Sequence, residues 1–316
     1  MAHILIVGGA GFIGSNASRY FLDKGHDVTV VDTLELGAKE NLDSRTHFLE
    51  CADRDMVSRS DIGTPDYIIH LAGSSSSPMF KEDLKGSYAN NILGHASVLE
   101  FAHKVGVKKV LFASSSSIYG NIGGALHEDM HVTPPNHYSV TKFTQEGLSR
   151  VFSFETGLPI VGFRFMSVYG PQEEHKGKFA NLISQFVWGM QAGKSPVIYG
   201  DGSQTRDFTY VDDIVSAFEK AIQSEKAGFE IYNVGTSESY AVKDVIALIN
   251  EALGTSIAPT FVPNPIGGNY ILSQQSSLEK VAHELGYRPT VALRDGIARL
   301  IEIRKKTMRP YRDLSY

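Results

Sequence analysis

The chemistry that the sequence offers begins with two pairs of tyrosine and lysine, each four residues apart. They are Tyr20 with Lys24 and Tyr138 with Lys142. Residues at this spacing share one face of a helix, so each lysine ammonium would stand beside a phenol. A free phenol has a pKa of about 10 and is a poor base at pH 7, whereas a neighbouring cation lowers that pKa. Such a pair can take the proton of a secondary alcohol while hydride leaves for a nicotinamide ring.

The neighbouring sequence separates the two pairs. Tyr138 and Lys142 follow the turn signal TPPNH at 133–137 and begin a helical pattern. Upstream, the apolar run that ends in FASSSSIYG would bring hydroxyl groups to the end of a buried strand. Tyr20 lies more than one turn inside the first helix, so we expect it to pack and not to catalyse. We predict Tyr138 as general base, Lys142 as the group that tunes it, and a serine hydroxyl of this run as a proton relay or a contact to the substrate alcohol.

A glycine pattern near the start of the chain predicts a nucleotide site. Gly8, Gly11 and Gly14 follow the apolar run ILIV and precede a helical pattern. In such a turn the glycines permit a sharp bend, close approach to a pyrophosphate and tight packing of helix on sheet. Asp32 closes the next strand, and its carboxylate would accept bonds from ribose hydroxyls and repel a 2′-phosphate, which favours NAD over NADP. Asp53 is a candidate contact to adenine, with a helix-capping role as the alternative.

The order of elements predicts an α/β fold with a doubly wound parallel sheet. Near-continuous apolar runs, typical of strands buried on both faces, alternate with longer helical patterns. The predicted strands are 3–7, 28–32, 67–72, 108–114 and 159–165, and the predicted helices lie near 12–24, 89–105 and 138–156.

The second half of the chain predicts a smaller lobe that is interleaved with the first. We expect residues 1–165 to form the nucleotide-binding domain and residues 166–206 and 236–316 to form the second lobe. The strand near 196–199 and the segment 207–235 are expected to return to the first domain. The lobe would then cover the carboxyl ends of the strands, where ligands bind in such sheets.

Composition excludes several other classes of protein. The formal net charge of −5 gives no basic excess with which to bind nucleic acid. No run reaches 18 apolar residues and no targeting segment is evident, which predicts a cytoplasmic protein without a membrane partner. Cys51, the single cysteine, excludes an internal disulfide and is expected to be a buried structural thiol. No metal site is predicted.

Eight ordered motifs together resemble the extended short-chain dehydrogenase/reductase family, and within it the NAD-dependent nucleotide-sugar epimerases and dehydratases. The motifs are GGAGFIG, HLAG, NILG, SSSSIYG, YSVTK, FRFMSVYGP, GDGSQTRDFTYVDD and YNVG. The resemblance covers nearly the whole chain. It implies a tightly held NAD, catalysis by Ser115, Tyr138 and Lys142, and a second hydroxyl contact from Ser117. It also implies a homodimer formed by the helices near 89–105 and 138–156.

The resemblance further implies residues that contact the cofactor and the substrate. Those implied for NAD are Gly8, Gly11, Phe12, Ile13, Gly14, Asp32, Asp53, Leu71, Ala72, Gly73, Asn91, Ser114, Tyr138, Lys142 and Phe165. Those implied for the nucleotide sugar are Ser116, Ser167, Lys176, Lys178, Asn181, Leu182, Val197, Tyr199, Arg206 and Tyr270.

Departures from the family motifs narrow the reaction. Dehydratases of the family carry an acidic pair where this chain has Ser116 and Ser117, and hydroxyls cannot replace the acid and base of an elimination. The arrangement around Ser115 is similar to that of UDP-galactose 4-epimerases, which predicts inversion at C4 of a UDP-hexose. Against that, Ser167 replaces an asparagine that binds diphosphate in the family, and the sequence IGGNY replaces a segment with an expected arginine.

Three alternatives stay open on the sequence. The segments 169–178 and 269–278 are similar to ADP-glycero-manno-heptose 6-epimerases, in which the lysine matching Lys176 is a proposed second acid/base. A nucleotide-sugar dehydrogenase or 4-ketoreductase with exchangeable NAD(H) would share the same half-reaction. A non-catalytic NAD-binding sensor is the alternative from a different class, although such proteins usually lose the tyrosine or lysine that this chain keeps.

Overall fold

The computed structural model describes residues 1–264 and 271–307. The strands within these ranges are β1 (His3–Val7), β2 (Asp27–Asp32), β3 (His47–Glu50), β4 (Tyr67–His70), β5 (Lys109–Ser115), β6 (Ile160–Phe165), β7 (Ser167–Tyr169), β8 (Val197–Tyr199), β9 (Thr205–Arg206), β10 (Phe208–Tyr210), β11 (Phe229–Val234), β12 (Tyr240–Ala241) and β13 (Thr260–Val262). The α-helices are α1 (Phe12–Asp23), α2 (Ser77–Glu82), α3 (Leu84–Tyr88), α4 (Gly94–Val105), α5 (His137–Thr156), α6 (Leu182–Gln191), α7 (Val211–Gln223), α8 (Val242–Leu253), α9 (Glu279–Leu285) and α10 (Leu293–Thr307).

Seven strands form one parallel sheet in the order β3-β2-β1-β4-β5-β6-β11. The strand order reverses between β1 and β4, because Val7 pairs with Val31 on one side and with His70 on the other. This reversal is the topological switch point at which ligands bind in doubly wound sheets. The predicted fold class is confirmed, and the five predicted strands all belong to this sheet.

Apolar residues on both faces of the central strands explain why the sheet is buried. Along β1, Ile4 and Ile6 pack into one apolar core, whereas Leu5 and Val7 pack into the core on the opposite face. Alternation with a period of two sends successive side chains to opposite faces. A strand that is apolar at every position therefore needs helices on both sides, as the structure shows.

The second lobe has an apolar core of its own, built from α6, α8, α10 and neighbouring strands. The strand β8 belongs here, because it pairs with β13 and not with the seven-stranded sheet. The expectation that the strand near 196–199 returns to the first domain is therefore wrong. Only Ile198 of this strand is fully buried, in the core of the second lobe, and one buried side chain does not suit a strand covered on both faces.

Two features of the described residues bear on the class of protein. No helix within 1–264 and 271–307 is long and apolar enough to cross a membrane. The same ranges contain no group of three or more histidine, cysteine or acidic side chains placed to hold a metal ion.

Candidate active site

A cavity of about 430 Å³ opens at the carboxyl edge of the sheet, around the switch point. Its walls come from the residues that follow β1, β2, β4, β5 and β6, together with the start of α5 and the segment before α6. The carboxyl ends of parallel strands meet at one edge, so the topology brings the glycine turn and the Tyr138 helix into a single cavity.

The glycine turn leaves room for an anion beside the first helix. A Cβ on Gly14 would lie 2.4 Å from the carbonyl oxygen of Gly8, so only glycine lets α1 pack this closely on the turn. A Cβ on Gly11 would lie 3.3 Å from the same carbonyl oxygen, which is also a tight contact, so this turn favours glycine at both positions. Helix α1 has no side-chain cap and no acidic residue in its first turn, so its N–H groups are available to a phosphate. These residues fit the pyrophosphate of a dinucleotide.

Asp32 closes β2 at the edge of the same cavity. One carboxylate oxygen accepts a hydrogen bond from the backbone N–H of Ala10 at 3.0 Å, and the other accepts one from Leu34 at 2.8 Å. Burial raises the pKa of Asp32, and these backbone donors oppose that shift. A carboxylate fixed in this way suits ribose hydroxyls and disfavours a 2′-phosphate, which agrees with a preference for NAD.

The first turn of α5 is shaped by a capping box that places Tyr138. The Asn136 side chain accepts from the Ser139 N–H at 3.0 Å, and the Asn136 N–H donates to the Ser139 hydroxyl at 3.1 Å. Capping of this kind fixes where the helix begins. Tyr138 consequently faces the end of β5, where the neighbouring Ser115 hydroxyl lowers the pKa of its phenol. The Ser115 hydroxyl also accepts from the N–H of Ser117 at 3.1 Å.

Lys142 lies one turn beyond Tyr138 and lines the cavity with it. Its ammonium donates to the carbonyl oxygen of Ala113 at 2.8 Å and to Oε1 of Gln145 at 3.1 Å. Burial lowers the pKa of Lys142 to about 8. The two acceptors stabilise the protonated form, so burial does not remove the charge entirely at neutral pH.

The electrostatics of Tyr138 differ from the sequence-based expectation. Burial raises the pKa of its phenol, and the neighbouring Ser115 hydroxyl only partly offsets this rise. The lowering expected from the ammonium of Lys142 does not outweigh the effect of burial. The described protein groups thus favour a neutral phenol at neutral pH.

Most of the predicted site residues come together in this cavity. Those that line it are Gly8, Gly11, Phe12, Ile13, Gly14, Asp32, Asp53, Leu71, Ala72, Gly73, Ser114, Ser115, Ser116, Ser117, Tyr138, Lys142, Phe165, Ser167, Lys176 and Asn181.

Other predicted contacts lie away from the cavity wall, where local partners hold them. The Asn91 carboxamide bonds to Ser74 and Thr141, Lys178 pairs with Glu82, and Arg206 donates to the carbonyl of Thr205. Leu182 packs against the core of the second lobe, and Val197 and Tyr199 lie in the β8 strand of that lobe. Tyr270, the remaining predicted contact, lies outside the described residues.

Several lining residues were not predicted as site residues. They include Met79, Met166, Glu173, His175, Phe179 and Gln274. The buried carboxylate of Glu173 accepts bonds from the Asn181 N–H at 2.8 Å and from the Ser184 hydroxyl at 2.6 Å, so it holds the loop that carries Lys176. The charged stretch EEHKGK was the signal for this residue, but charge in a loop usually means solvent exposure. Gln274 had no signal beyond its place in the segment SQQSS.

Tyr20 and Cys51 lie in different places relative to the cavity. Tyr20 lies outside the cavity, packs against the sheet core and donates its hydroxyl to Glu219 at 2.7 Å, which confirms a structural role. Cys51 is half-buried and lines the cavity, so it is less buried than the sequence predicts. Burial raises the pKa of this thiol, which disfavours the thiolate and a nucleophilic role.

Comparison with known proteins gives the same fold and a family of NAD-dependent enzymes. A sequence model of the NAD dependent epimerase/dehydratase family matches residues 4–235. The UDP-glucose 4-epimerase of Mycolicibacterium smegmatis is 32% identical over 94% of this chain and 97% of its own length. The crystal structure of a UDP-glucose 4-epimerase from Thermotoga maritima with UDP-glucose is 31% identical, with a TM-score of 0.91 over 97% of this chain and all of that chain. The Thermus thermophilus UDP-glucose 4-epimerase complex with NAD is also 31% identical, with a TM-score of 0.87 over 95% of this chain and 98% of that chain.

Proposed function

The chain belongs to the NAD-dependent epimerase/dehydratase family, and from that premise we propose that it inverts C4 of a UDP-hexose. The observation that carries this proposal is one cavity that holds both the open glycine turn and the Tyr138, Lys142 and Ser115 cluster. The names of its relatives, UDP-glucose 4-epimerases, support the choice of nucleotide and of carbon.

The residues that would hold NAD follow from the geometry of the turn. Gly11 and the first turn of α1 would receive the pyrophosphate, and Asp32 would bind the ribose of the adenosine half. Asp53 lines the same cavity and is proposed as the adenine contact. Bound NAD supplies a hydride acceptor and a positive charge.

The protein groups manage the proton of the substrate alcohol. Tyr138 would take the proton of the C4 hydroxyl, so that a 4-ketone is left on the sugar when hydride departs from C4. Ser115 would bridge the phenol and the sugar oxygen, and the ammonium of Lys142 would place positive charge one helical turn from the phenolate. Once the ketone has turned over, hydride would return to its opposite face and Tyr138 would give the proton back. The cycle would consume no external oxidant.

The hydroxyls beside Ser115 argue against elimination of water. Ser116 and Ser117 both line the cavity at the end of β5, and the Ser116 hydroxyl faces Oε1 of Gln274 at 3.5 Å. A dehydratase needs an acid and a base at this place, and neither a serine nor an amide titrates near neutral pH. Epimerisation, in which the sugar keeps all its atoms, is the reaction that these neutral side chains permit.

We further propose that the protein is a homodimer in the cytoplasm. Helix α5 exposes four apolar side chains, those of Val140, Phe143, Val151 and Phe154. Leu93, the residue directly before α4, is also exposed. Phe154 is 90% exposed, which is costly for an aromatic side chain unless a partner covers it. Sedimentation of the wild type and of a Phe143→Glu/Val151→Glu variant tests the proposal. A wild-type protein that sediments as a monomer would contradict the proposed homodimer. Fractionation of cells that express the protein tests the cytoplasmic location.

The experiment that tests the proposed reaction combines Tyr138→Phe with a panel of nucleotide sugars. The wild type should interconvert UDP-glucose and UDP-galactose without added NAD, as followed by proton NMR. Tyr138→Phe should keep NAD bound and lose at least a thousandfold in turnover, because the proton then has no acceptor. Tyr20→Phe is the matched control and should leave the chemistry unchanged.

The panel also separates the alternatives. Inversion only of an ADP-heptose would favour the heptose epimerase, and turnover that depends on added NAD or NADH would favour a dehydrogenase or ketoreductase. A Tyr138→Phe enzyme with nearly intact turnover would refute the proposed mechanism.

A further inference from the structure

The catalytic lysine has a buried side-chain partner to which the proposed mechanism gives no role. Gln145 lies three residues after Lys142 on α5, is 1% exposed, and accepts from the lysine ammonium at 3.1 Å. Its amide nitrogen Nε2 donates to the carbonyl oxygen of Asn91 at 2.6 Å. Gln145 itself does not line the cavity, so any effect on catalysis has to pass through Lys142.

The second contact fixes which end of the amide faces the lysine. A carbonyl oxygen accepts hydrogen bonds and cannot donate them, so the carbonyl of Asn91 accepts only from the NH₂ end of the Gln145 amide. The Oε1 end is then left pointing at the ammonium of Lys142. In a site this dry, an oriented amide dipole acts on a charge more strongly than it would in water.

Asn91 is itself held firmly, so the amide has a rigid anchor. It lies in the π-helical turn Ala89–Leu93, where the N–H of Gly94 bonds five residues back to Ala89. Such turns shift the regular hydrogen-bond ladder and occur often at functional sites. The Asn91 side chain also clamps Ser74, accepting from its N–H at 2.7 Å and donating to its carbonyl at 3.1 Å.

We propose that Gln145 is a positioning residue for the reaction, because it holds the ammonium of Lys142 in place and favours its charged form. The inference rests on the proposed function only in taking Lys142 as the group that stabilises the Tyr138 phenolate. The chain of contacts runs from the Asn91 carbonyl through the Gln145 amide to the lysine, and it ties the catalytic helix to the turn before α4.

The other charged and titratable groups around this part of α5 leave the role to Gln145. Tyr138 lies on the same helix and has its pKa raised by burial, and His95 of α4 has its pKa lowered well below the usual value by burial. Glu146 forms a buried ion pair with Arg164 of β6. Among the described residues, two neutral rings and a neutralised pair leave the ammonium without a direct counterion, so its stabilisation depends on the Ala113 carbonyl and Gln145.

Two substitutions at Gln145 test the inference through effects of opposite sign. Gln145→Leu keeps the volume and removes the acceptor, so the pKa of Lys142 should fall by about one unit from its value of about 8. At pH 8 the protonated fraction would then drop from about one half to about one tenth, and kcat should fall about fivefold with KM little changed. Gln145→Glu places an anion beside the ammonium, so the pKa of Lys142 and the alkaline limb of the pH profile should both rise.

The direct readout is NMR titration of lysine labelled with ¹³C at Cε, in which the Lys142 signal is assigned by its loss in Lys142→Arg. This readout requires no turnover. If the chain does not epimerise any sugar but the Lys142 titration shifts as described, the proposed function fails and the inference stands. Gln191→Leu is the matched control, since this glutamine lies on α6, donates to the carbonyl of Ile301 and does not line the cavity.

Two kinds of result would overturn the inference. Folded Gln145→Leu and Gln145→Glu proteins whose Lys142 titrates as in the wild type would show that the amide does not act on the lysine. Shifts of the same sign in both variants, or an equal shift in Gln191→Leu, would indicate a general loss of structure and would also overturn it.

Discussion

A buried ion pair between the catalytic helix and the sheet gives the sharpest prediction about stability. Arg164 on β6 donates from Nε to Oε1 of Glu146 at 3.0 Å and from its terminal nitrogen to Oε2 at 2.8 Å. Both side chains are less than 5% exposed. The Ser114 hydroxyl donates to the same carboxylate, and the arginine also donates to the Tyr119 hydroxyl at 2.8 Å. Glu146 lies one turn beyond Lys142, so the pair fixes α5 against the sheet.

The expected magnitude comes from the charge that would be left behind. Arg164→Met leaves the Glu146 carboxylate buried with only Ser114 as a donor, and breaking a buried pair in this way costs about 3–5 kcal/mol. Adding Glu146→Leu removes the unpaired charge. Replacing a whole buried pair by apolar groups is often close to neutral, although Tyr119 and Ser114 lose partners. The double variant should therefore lie within about 2 kcal/mol of the wild type, and be more stable than Arg164→Met.

Urea unfolding, followed by circular dichroism and by Trp188 fluorescence, measures these differences. The exposed pair of Arg294 and Glu251 provides the matched control, because Arg294→Met should change the free energy of unfolding by less than about 1 kcal/mol. If Arg164→Met and the double variant prove equally unstable, the unpaired carboxylate is not the cause. The cost would then come from lost packing and hydrogen bonds, and the electrostatic reasoning would be refuted.

Two further predictions concern the nucleotide end of the cavity. Gly14→Ala should abolish NAD binding and lower the free energy of unfolding by about 1–3 kcal/mol, because the new Cβ would lie 2.4 Å from the Gly8 carbonyl oxygen. Gly189→Ala is the control and should be tolerated, because the nearest contact of its Cβ is at 4.0 Å. Thermal unfolding and fluorescence titration with NADH measure both effects, and a Gly14→Ala protein that binds NADH normally would contradict the first. Asp32→Asn should weaken NADH binding about tenfold. It should also reduce the ratio of the affinity for NADH to that for NADPH, since no carboxylate then repels the 2′-phosphate of NADPH. An unchanged preference in the same titration would show that Asp32 does not set it.

The fold was predictable from the sequence because the central strands are apolar at nearly every position. Runs such as ILIV leave no polar face, and only a sheet covered on both sides accommodates them. The same rule wrongly places residues 196–199 in the first domain. Their three-residue strand buries only Ile198 and pairs with β13 in the second lobe. Short apolar runs carry little information about which sheet they join, because partner choice depends on contacts that are distant in sequence.

The cavity was predictable where residues follow strands and less so where loops cross over it. Gly8, Asp32 and Ser115 each stand at the end of a parallel strand, so topology alone brings them to one edge. Glu173 and Gln274 reach the cavity from segments outside the central sheet, and no periodicity marks them. Arg206 donates to the carbonyl of its neighbour Thr205, and its contact with the substrate stays a prediction.

The two Tyr-x-x-x-Lys pairs show why spacing cannot identify a base. At Tyr20 the phenol donates to Glu219, and burial together with this carboxylate raises its pKa, while Lys24 is exposed and also pairs with Glu219. The Glu219 carboxylate competes with the phenol for the positive charge of Lys24. The lysine therefore does not activate Tyr20, and the cause is a residue 199 positions away in the sequence. At Tyr138 burial raises the pKa of the phenol, and the neighbouring Ser115 lowers it.

Burial in the Tyr138 site moves both members of the pair toward their neutral forms, since it raises the pKa of the phenol and lowers that of Lys142. The fold then directs two hydrogen-bond acceptors, the Ala113 carbonyl and Gln145, to the lysine, and one partner, Ser115, to the phenol. Each member of the pair therefore has a neighbour that opposes the effect of burial. Positive charge bound beside the phenol, as proposed for NAD, would lower its pKa further.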